Sequence, residues 1–137
     1  MPKSILIVDD EAGVTLPLAS FFQYRGYQTF RAFYGDQALE QLKENHPDLV
    51  VLDLQMPQMG GLEVLEKIKQ EHPGTKVLVI TGYPEQYDEQ LKRLQPTAVR
   101  TKQVPLEELT RMIDSLLGEN QPPFSTQAKS SPAEIRC

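Results

Sequence analysis

Three runs of this chain, Ile5-Leu6-Ile7-Val8, Leu49-Val50-Val51-Leu52 and Val77-Leu78-Val79-Ile80, place four aliphatic residues in a row with no polar alternation. A strand wetted on one face alternates polar and apolar residues, whereas one covered on both faces does not. These runs are therefore expected as central strands of a parallel sheet, near residues 4–8, 48–53 and 76–81. Tyr27-Gln28-Thr29-Phe30-Arg31-Ala32 alternates and suits a strand nearer an edge, and Thr97-Ala98-Val99-Arg100-Thr101 gives a weaker fifth strand.

Between the strands the apolar spacing turns helical. Leu16, Leu18, Ala19, Phe21 and Phe22 form one expected stripe, with Pro17 in or near the first turn, where its missing N–H does little harm. Ala38, Leu39 and Leu42 form a second, and Leu62, Val64, Leu65 and Ile68 a third. Leu91 with Leu94, and then Leu106, Leu109, Met112, Ile113, Leu116 and Leu117, give the last two. Glu44-Asn45-His46-Pro47 and Glu71-His72-Pro73 echo each other before the second and third apolar runs, so both histidines read as helix-end residues stopped by proline. Five strands alternating with five helices imply an α/β fold, an open doubly wound sheet with right-handed crossovers. Ligands of such sheets sit outside the carboxyl ends of the strands.

The length of 137 residues fits one domain, expected over residues 1–118. Residues 119–137 are polar, rich in Pro and Ser and without periodicity, which reads as a flexible tail or a linker. A net charge of −5 speaks against a broad nucleic-acid surface. The single cysteine, Cys137, gives neither a disulfide framework nor a thiolate metal cluster. With no signal-peptide pattern and no apolar stretch long enough to span a bilayer, a cytoplasmic location away from membranes is expected.

Asp53 ends the second apolar run and feeds the turn Gln55-Met56-Pro57-Gln58-Met59-Gly60-Gly61. A buried carboxylate costs several kcal/mol unless it is paired. Asp9-Asp10 ends the first run in the same way, so three acids are expected to meet at the strand ends. Their hard oxygens suit Mg²⁺, which would offset their repulsion and polarise an incoming phosphoryl group, leaving a carboxylate to attack phosphorus. The plainer role for Asp9-Asp10 is a helix N-terminal cap. Thr81 ends the third run and brings a hydroxyl to the same crevice, its plainer role being a turn residue. Lys102 follows the fifth strand and is either a surface lysine or the cation that neutralises a phosphoryl group. No glycine-rich phosphate loop and no serine nucleophile elbow occur.

Taken in order, Ile5 to Glu11, Val51 to Pro57 with Gly61, Ile80-Thr81-Gly82 and Lys102 resemble the receiver domain of bacterial two-component response regulators, over roughly residues 3–118. The resemblance implies a flavodoxin-like sheet of order 2-1-3-4-5 flanked by five helices. It implies Asp53 as phosphoacceptor, served by a sensor histidine kinase or a histidine phosphotransfer protein. It implies Mg²⁺ held by Asp9, Asp10, Asp53 and the backbone carbonyl of Gln55, with Thr81 and Lys102 meeting the bound phosphoryl group. The output would pass to a protein effector or to a C-terminal output domain, with a phosphorylation-dependent dimer as one form.

The chain also departs from the family pattern. Gln103 and Val104 stand between Lys102 and Pro105, where the family usually has proline directly after the lysine. Val99 occupies a position where the family often has Tyr or Phe, and Leu94-Gln95-Pro96 replaces a common Gly-Ala turn. The readout is therefore expected to differ from the family's usual one. Gln55 and Tyr83 bring no carboxylate base beside Asp53, which predicts a persistent phosphoryl group shielded by Tyr83. Two other readings stand beside this one. One is a phosphohydrolase resembling the haloacid dehalogenase group, although those enzymes carry an Asp-x-Asp motif where this chain has adjacent acids. The other is a degenerate receiver that works without phosphorylation.

Overall fold

A computed structural model describes residues 2–56, 59–82 and 84–118. The expected tail 119–137 and Tyr83 lie outside the described residues. The elements run β1 (Ser4–Val8), α1 (Ala12–Tyr24), β2 (Gln28–Ala32), α2 (Gly35–Asn45), β3 (Leu49–Asp53), α3 (Gly61–Glu71), β4 (Lys76–Thr81), a 3₁₀ turn (Pro84–Tyr87), α4 (Asp88–Leu94), β5 (Ala98–Thr101) and α5 (Leu106–Leu117). All strand pairs are parallel, in the order β2-β1-β3-β4-β5. The alternating strand and the weak fifth strand are the two edges.

The unalternated runs bury both faces, as a covered parallel strand must. Leu6, Val8, Val50, Leu52, Val77 and Val79 face one core, which α2, α3 and α4 close with Ala38, Leu42, Val64, Leu65, Ile68, Leu91 and Leu94. Ile5, Ile7, Leu49, Val51 and Leu78 face the other, closed by Ala19 and Phe22 of α1 and by Leu109, Ile113 and Leu117 of α5. Each fully buried aliphatic side chain contributes roughly 1.5–3 kcal/mol relative to exposure.

Helix ends follow their sequence signals. His46 closes α2 in the left-handed region, with φ of 46° and its N–H donated to the Leu42 carbonyl, just before Pro47. Gln95 does the same for α4, with φ of 51°, ahead of Pro96. His72 follows α3 as its C-cap. Both histidines are thus helix-end residues, as expected.

α1 departs from its expected phase. Its buried face is Thr15, Ala19 and Phe22, while Leu16 is 46% exposed. The physical reason is that α1 contains no charged residue, so no charge marks its outer face. Pro17 sits in the second turn rather than the first, because the helix already begins at Ala12. The Glu11 carbonyl accepts from both Val14 N (2.9 Å) and Thr15 N (3.1 Å), tightening that start. Leu106 likewise stays 45% exposed at the head of α5.

At the amino ends of the strands, Arg25 and Tyr27 both hold Asp114 of α5. Arg25 Nη2 lies 2.5 Å from Asp114 Oδ2, and the Tyr27 hydroxyl donates to Asp114 Oδ1. Lys76 Nζ donates to the Leu116 carbonyl nearby. The far end of α5 is therefore pinned to the sheet.

Candidate functional site

Strand register brings the expected residues together. Val8 pairs with Leu52, so Asp9 and Asp53 emerge side by side at the carboxyl edge of the sheet. Thr81 pairs with Thr101 at the same edge, which sets Lys102 next to it; the Lys102 N–H donates to the Thr81 carbonyl at 3.1 Å. Asp53 is 2% exposed, Asp9 6% and Thr81 fully buried, while Asp10 is exposed.

Asp53 is held from two directions. Its Oδ1 accepts the Gln55 N–H at 3.1 Å, and its Oδ2 accepts from Lys102 Nζ at 3.2 Å. Lys102 Nζ also stands 4.0 Å from Asp9 Oδ2 and 4.0 Å from Glu11 Oε1. Lys102 is thus no freely solvated lysine but the hub of three acids. Glu11 is the member that the sequence did not single out; its only signal was adjacency to Asp9-Asp10. Asp9 is not a cap of α1: its Oδ1 accepts the Glu11 N–H at 3.0 Å, and Glu11 takes the N-cap position.

Burial dominates the acid–base behaviour of the site. Desolvation pushes the Asp9 carboxyl up to about 6, the Glu11 N–H opposes this, and the charge of Asp53 adds to it. Desolvation also raises Asp53, against the Gln55 N–H and the Lys102 ammonium, which favour the carboxylate. For Lys102, burial pulls downward, but Asp53, Asp9 and Glu11 together carry its pKa above the ordinary lysine value. The ammonium form is therefore fixed at neutral pH.

The donor chemistry fits a small hard cation. One carboxylate oxygen from each of Asp9, Asp10 and Asp53 lies within 4.8 Å of the others. All-oxygen ligation of this kind is what Mg²⁺ takes, and a dication there would relieve the desolvated, mutually repelling acids. The Gln55 N–H reaches Asp53 Oδ1, and the Gln55 side-chain oxygen lies 3.9 Å from where a β-carbon on Gly82 would stand.

Beside the acids opens a cavity of about 310 Å³ between α1 and α5. Asp9, Asp53 and Lys102 stand along one side, and Val14, Leu18 and Leu106 are among the apolar residues of the rest. Among the described residues, no helix is long and apolar enough to cross a membrane.

The sequence model of the response regulator receiver domain matches residues 5–114. Sporulation initiation phosphotransferase F of Bacillus subtilis is 42% identical over 85 residues, covering 62% of this chain and 68% of that protein. The alkaline phosphatase synthesis transcriptional regulatory protein PhoP of the same organism is 34% identical over 91 residues, 66% of this chain but only 38% of its own length. Among solved structures, the response regulator TrrA of Thermotoga maritima, in complex with Mg²⁺-BeF, superposes with a TM-score of 0.75 at 32% identity, covering 83% of this chain and 98% of that one. A CheY-like receiver domain protein of Methanospirillum hungatei gives a TM-score of 0.76 at 26% identity, over 88% of this chain and 100% of that one.

Proposed function

We propose, for a chain that belongs to the response regulator receiver family of two-component signalling, that Asp53 is its phosphoacceptor and that phosphorylation there is its signal. The observation that carries this reading is the arrangement around Asp53: a 2% exposed carboxylate at a strand end, 3.2 Å from an ammonium and clustered with two further acids. Burial alone is a poor reason to keep such a charge; a task that needs a dry, positioned carboxylate is a good one.

In the proposed reaction a carboxylate oxygen of Asp53 attacks phosphorus and forms the O–P bond of an acyl phosphate. The bond from phosphorus to the donor breaks, its electron pair leaving on the donor, an imidazole nitrogen when the donor is a phosphohistidine. Lys102 and the Gln55 N–H favour the ionised form of Asp53 needed for attack, and Lys102 then faces the new phosphoryl oxygens, joined by the Thr81 hydroxyl. Asp9, Asp10, Asp53 and the Gln55 carbonyl would hold Mg²⁺, which supplies charge neutralisation at phosphorus when bound.

The donor is read as a histidine kinase or histidine phosphotransfer protein. Val14 and Leu106, both exposed, border the cavity beside Asp53, and Leu16 is exposed on the same helix as Val14. Apolar surface of that kind at a reactive mouth suits a protein partner. Residues 1–118 are read as the signalling module and residues 119–137 as a tail or linker; output through an effector protein or a further domain, in the cytoplasm, completes the proposal. The phosphohydrolase and phosphorylation-independent readings gain nothing from the relatives.

Intact-mass analysis after incubation with a small acyl phosphate and Mg²⁺ tests this. The native chain is expected to gain one base-labile phosphoryl group and Asp53→Asn none. An adduct on Asp53→Asn, or continuous phosphate release from varied monoesters, overturns the assignment.

A further inference from the structure

Two glycines grip the segment that follows Asp53. A β-carbon on Gly61 would lie 2.5 Å from both the Asp53 carbonyl oxygen and Leu54 Cα. A β-carbon on Gly35, the buried first residue of α2, would lie 2.7 Å from Met59 Cγ, 2.8 Å from Met59 Cβ and 2.9 Å from the Met59 carbonyl oxygen. Carbon atoms in contact prefer about 3.5–4.0 Å. The obstacles at Gly35 are the root of the Met59 side chain and its backbone, so turning the outer side chain does not relieve them.

Backbone conformation does not explain Gly35. Among the described glycines only Gly26 and Gly118 have positive φ. In a helix interior, alanine is favoured over glycine by about 1 kcal/mol, and even at the first position of α2 no backbone requirement calls for glycine. What excludes a side chain at Gly35 is the neighbour from another connection, Met59.

We propose that Gly35 is a positioning residue for the cation and phosphoryl site, which acts by letting α2 abut Met59 and so holding Met59, Gly60 and Gly61 against Leu54. The consequence falls on Gln55. Its N–H holds Asp53 Oδ1 at 3.1 Å, and its carbonyl belongs to the cation set under the reading of Asp53 proposed above, on which this inference rests. Gly61 N–H donates to the Leu54 carbonyl at 3.1 Å, closing the base of the segment against the strand. Under this proposal a side chain at Gly35 displaces Met59 and, through Gly60 and the Gly61–Leu54 bond, Leu54 and the adjoining Gln55.

The test compares Mg²⁺ affinity, read from the shift of thermal unfolding across a Mg²⁺ titration, in the full chain and its variants. Gly35→Ala is expected to bind Mg²⁺ at least tenfold more weakly and to be phosphorylated more slowly by a small acyl phosphate. Adding Met59→Gly to Gly35→Ala is expected to recover at least half of that loss on a logarithmic scale. Mg²⁺ affinity of Gly35→Ala within twofold of the native chain overturns the inference, as does a double variant that binds no better than the single one. Should Gly35→Ala not fold, Met59→Ala carries the test: affinity weakened at least threefold supports the contact, and unchanged affinity overturns it. Failure of the native chain to bind Mg²⁺, or an adduct on Asp53→Asn, instead defeats the underlying reading of the site and is distinguishable from both.

Discussion

At the scale of single residues, Asp9 makes the sharpest claim. Its folded pKa of about 6 lies above the ordinary value of 3.8, so between those values the folded state holds more protons than the unfolded one. Stability contributed by this group is therefore present below about pH 4 and lost as pH rises through 6. Asp9→Asn, which cannot ionise, is expected to match the native chain near pH 4 in urea denaturation without Mg²⁺. It is expected to exceed the native chain by up to about 3 kcal/mol above pH 6. A constant difference across that range counts against the desolvation argument. Asp9, Asp53, Thr81 and Lys102 were legible in the sequence because each ends or follows a strand and carries chemistry that a plain core does not use. Glu11 and Gly35 were not. Glu11 matters only through where Lys102 points, and Gly35 only through Met59, and neither approach exists in one dimension.

At the scale of elements, α5 shows how far a pattern reaches. Its apolar spacing predicted a buried stripe, and Leu109, Ile113 and Leu117 are buried as that spacing requires. Nothing in the spacing announced that Asp114 on the same helix joins Arg25 and Tyr27. The Arg25 side chain is only 3% exposed, so removing Asp114 weakens the pairing of a buried charge, a change of the kind that costs roughly 3–5 kcal/mol. Asp114→Ala is expected to lose about 3 kcal/mol in denaturant unfolding. Because this cluster lies at the strand ends opposite Asp53, the phosphoryl adduct of the folded variant is expected to form as in the native chain. A specific loss of phosphorylation in well-folded Asp114→Ala would contradict that separation. α1 marks the opposite limit: without a charged residue its faces are poorly marked by composition, which is why Leu16, expected in the buried stripe, is exposed while Thr15 is buried.

At the scale of the molecule, the order β2-β1-β3-β4-β5 puts β1 and β3 together in the middle of the sheet, and with them the acids. The alternation of strand and helix patterns made the parallel sheet readable, whereas strand order came only with the family resemblance, since periodicity does not say which strands are neighbours. A cation that binds only the assembled acids must stabilise the whole fold, by about 2.7 kcal/mol at a hundred times its dissociation constant. Mg²⁺ is expected to raise the unfolding midpoint of the native chain in a concentration-dependent way, and Asp10→Asn is expected to reduce that gain. An equal gain in both means the ion acts elsewhere.

The hub at Lys102 joins segments far apart in the chain: Lys102 and its partner Asp53 are 49 residues from each other. A nascent chain leaving the ribosome at about 5–20 residues per second exposes Asp53 roughly 2–10 s before its counter-cation, and Asp9 earlier still. For that interval Asp9 and Asp53 have no lysine to share, and the last strand is still missing from its edge of the sheet. The site is thus finished only once β5 and Lys102 have emerged, and a chain able to accept a phosphoryl group at Asp53 with its lysine in place is one whose sheet has already closed.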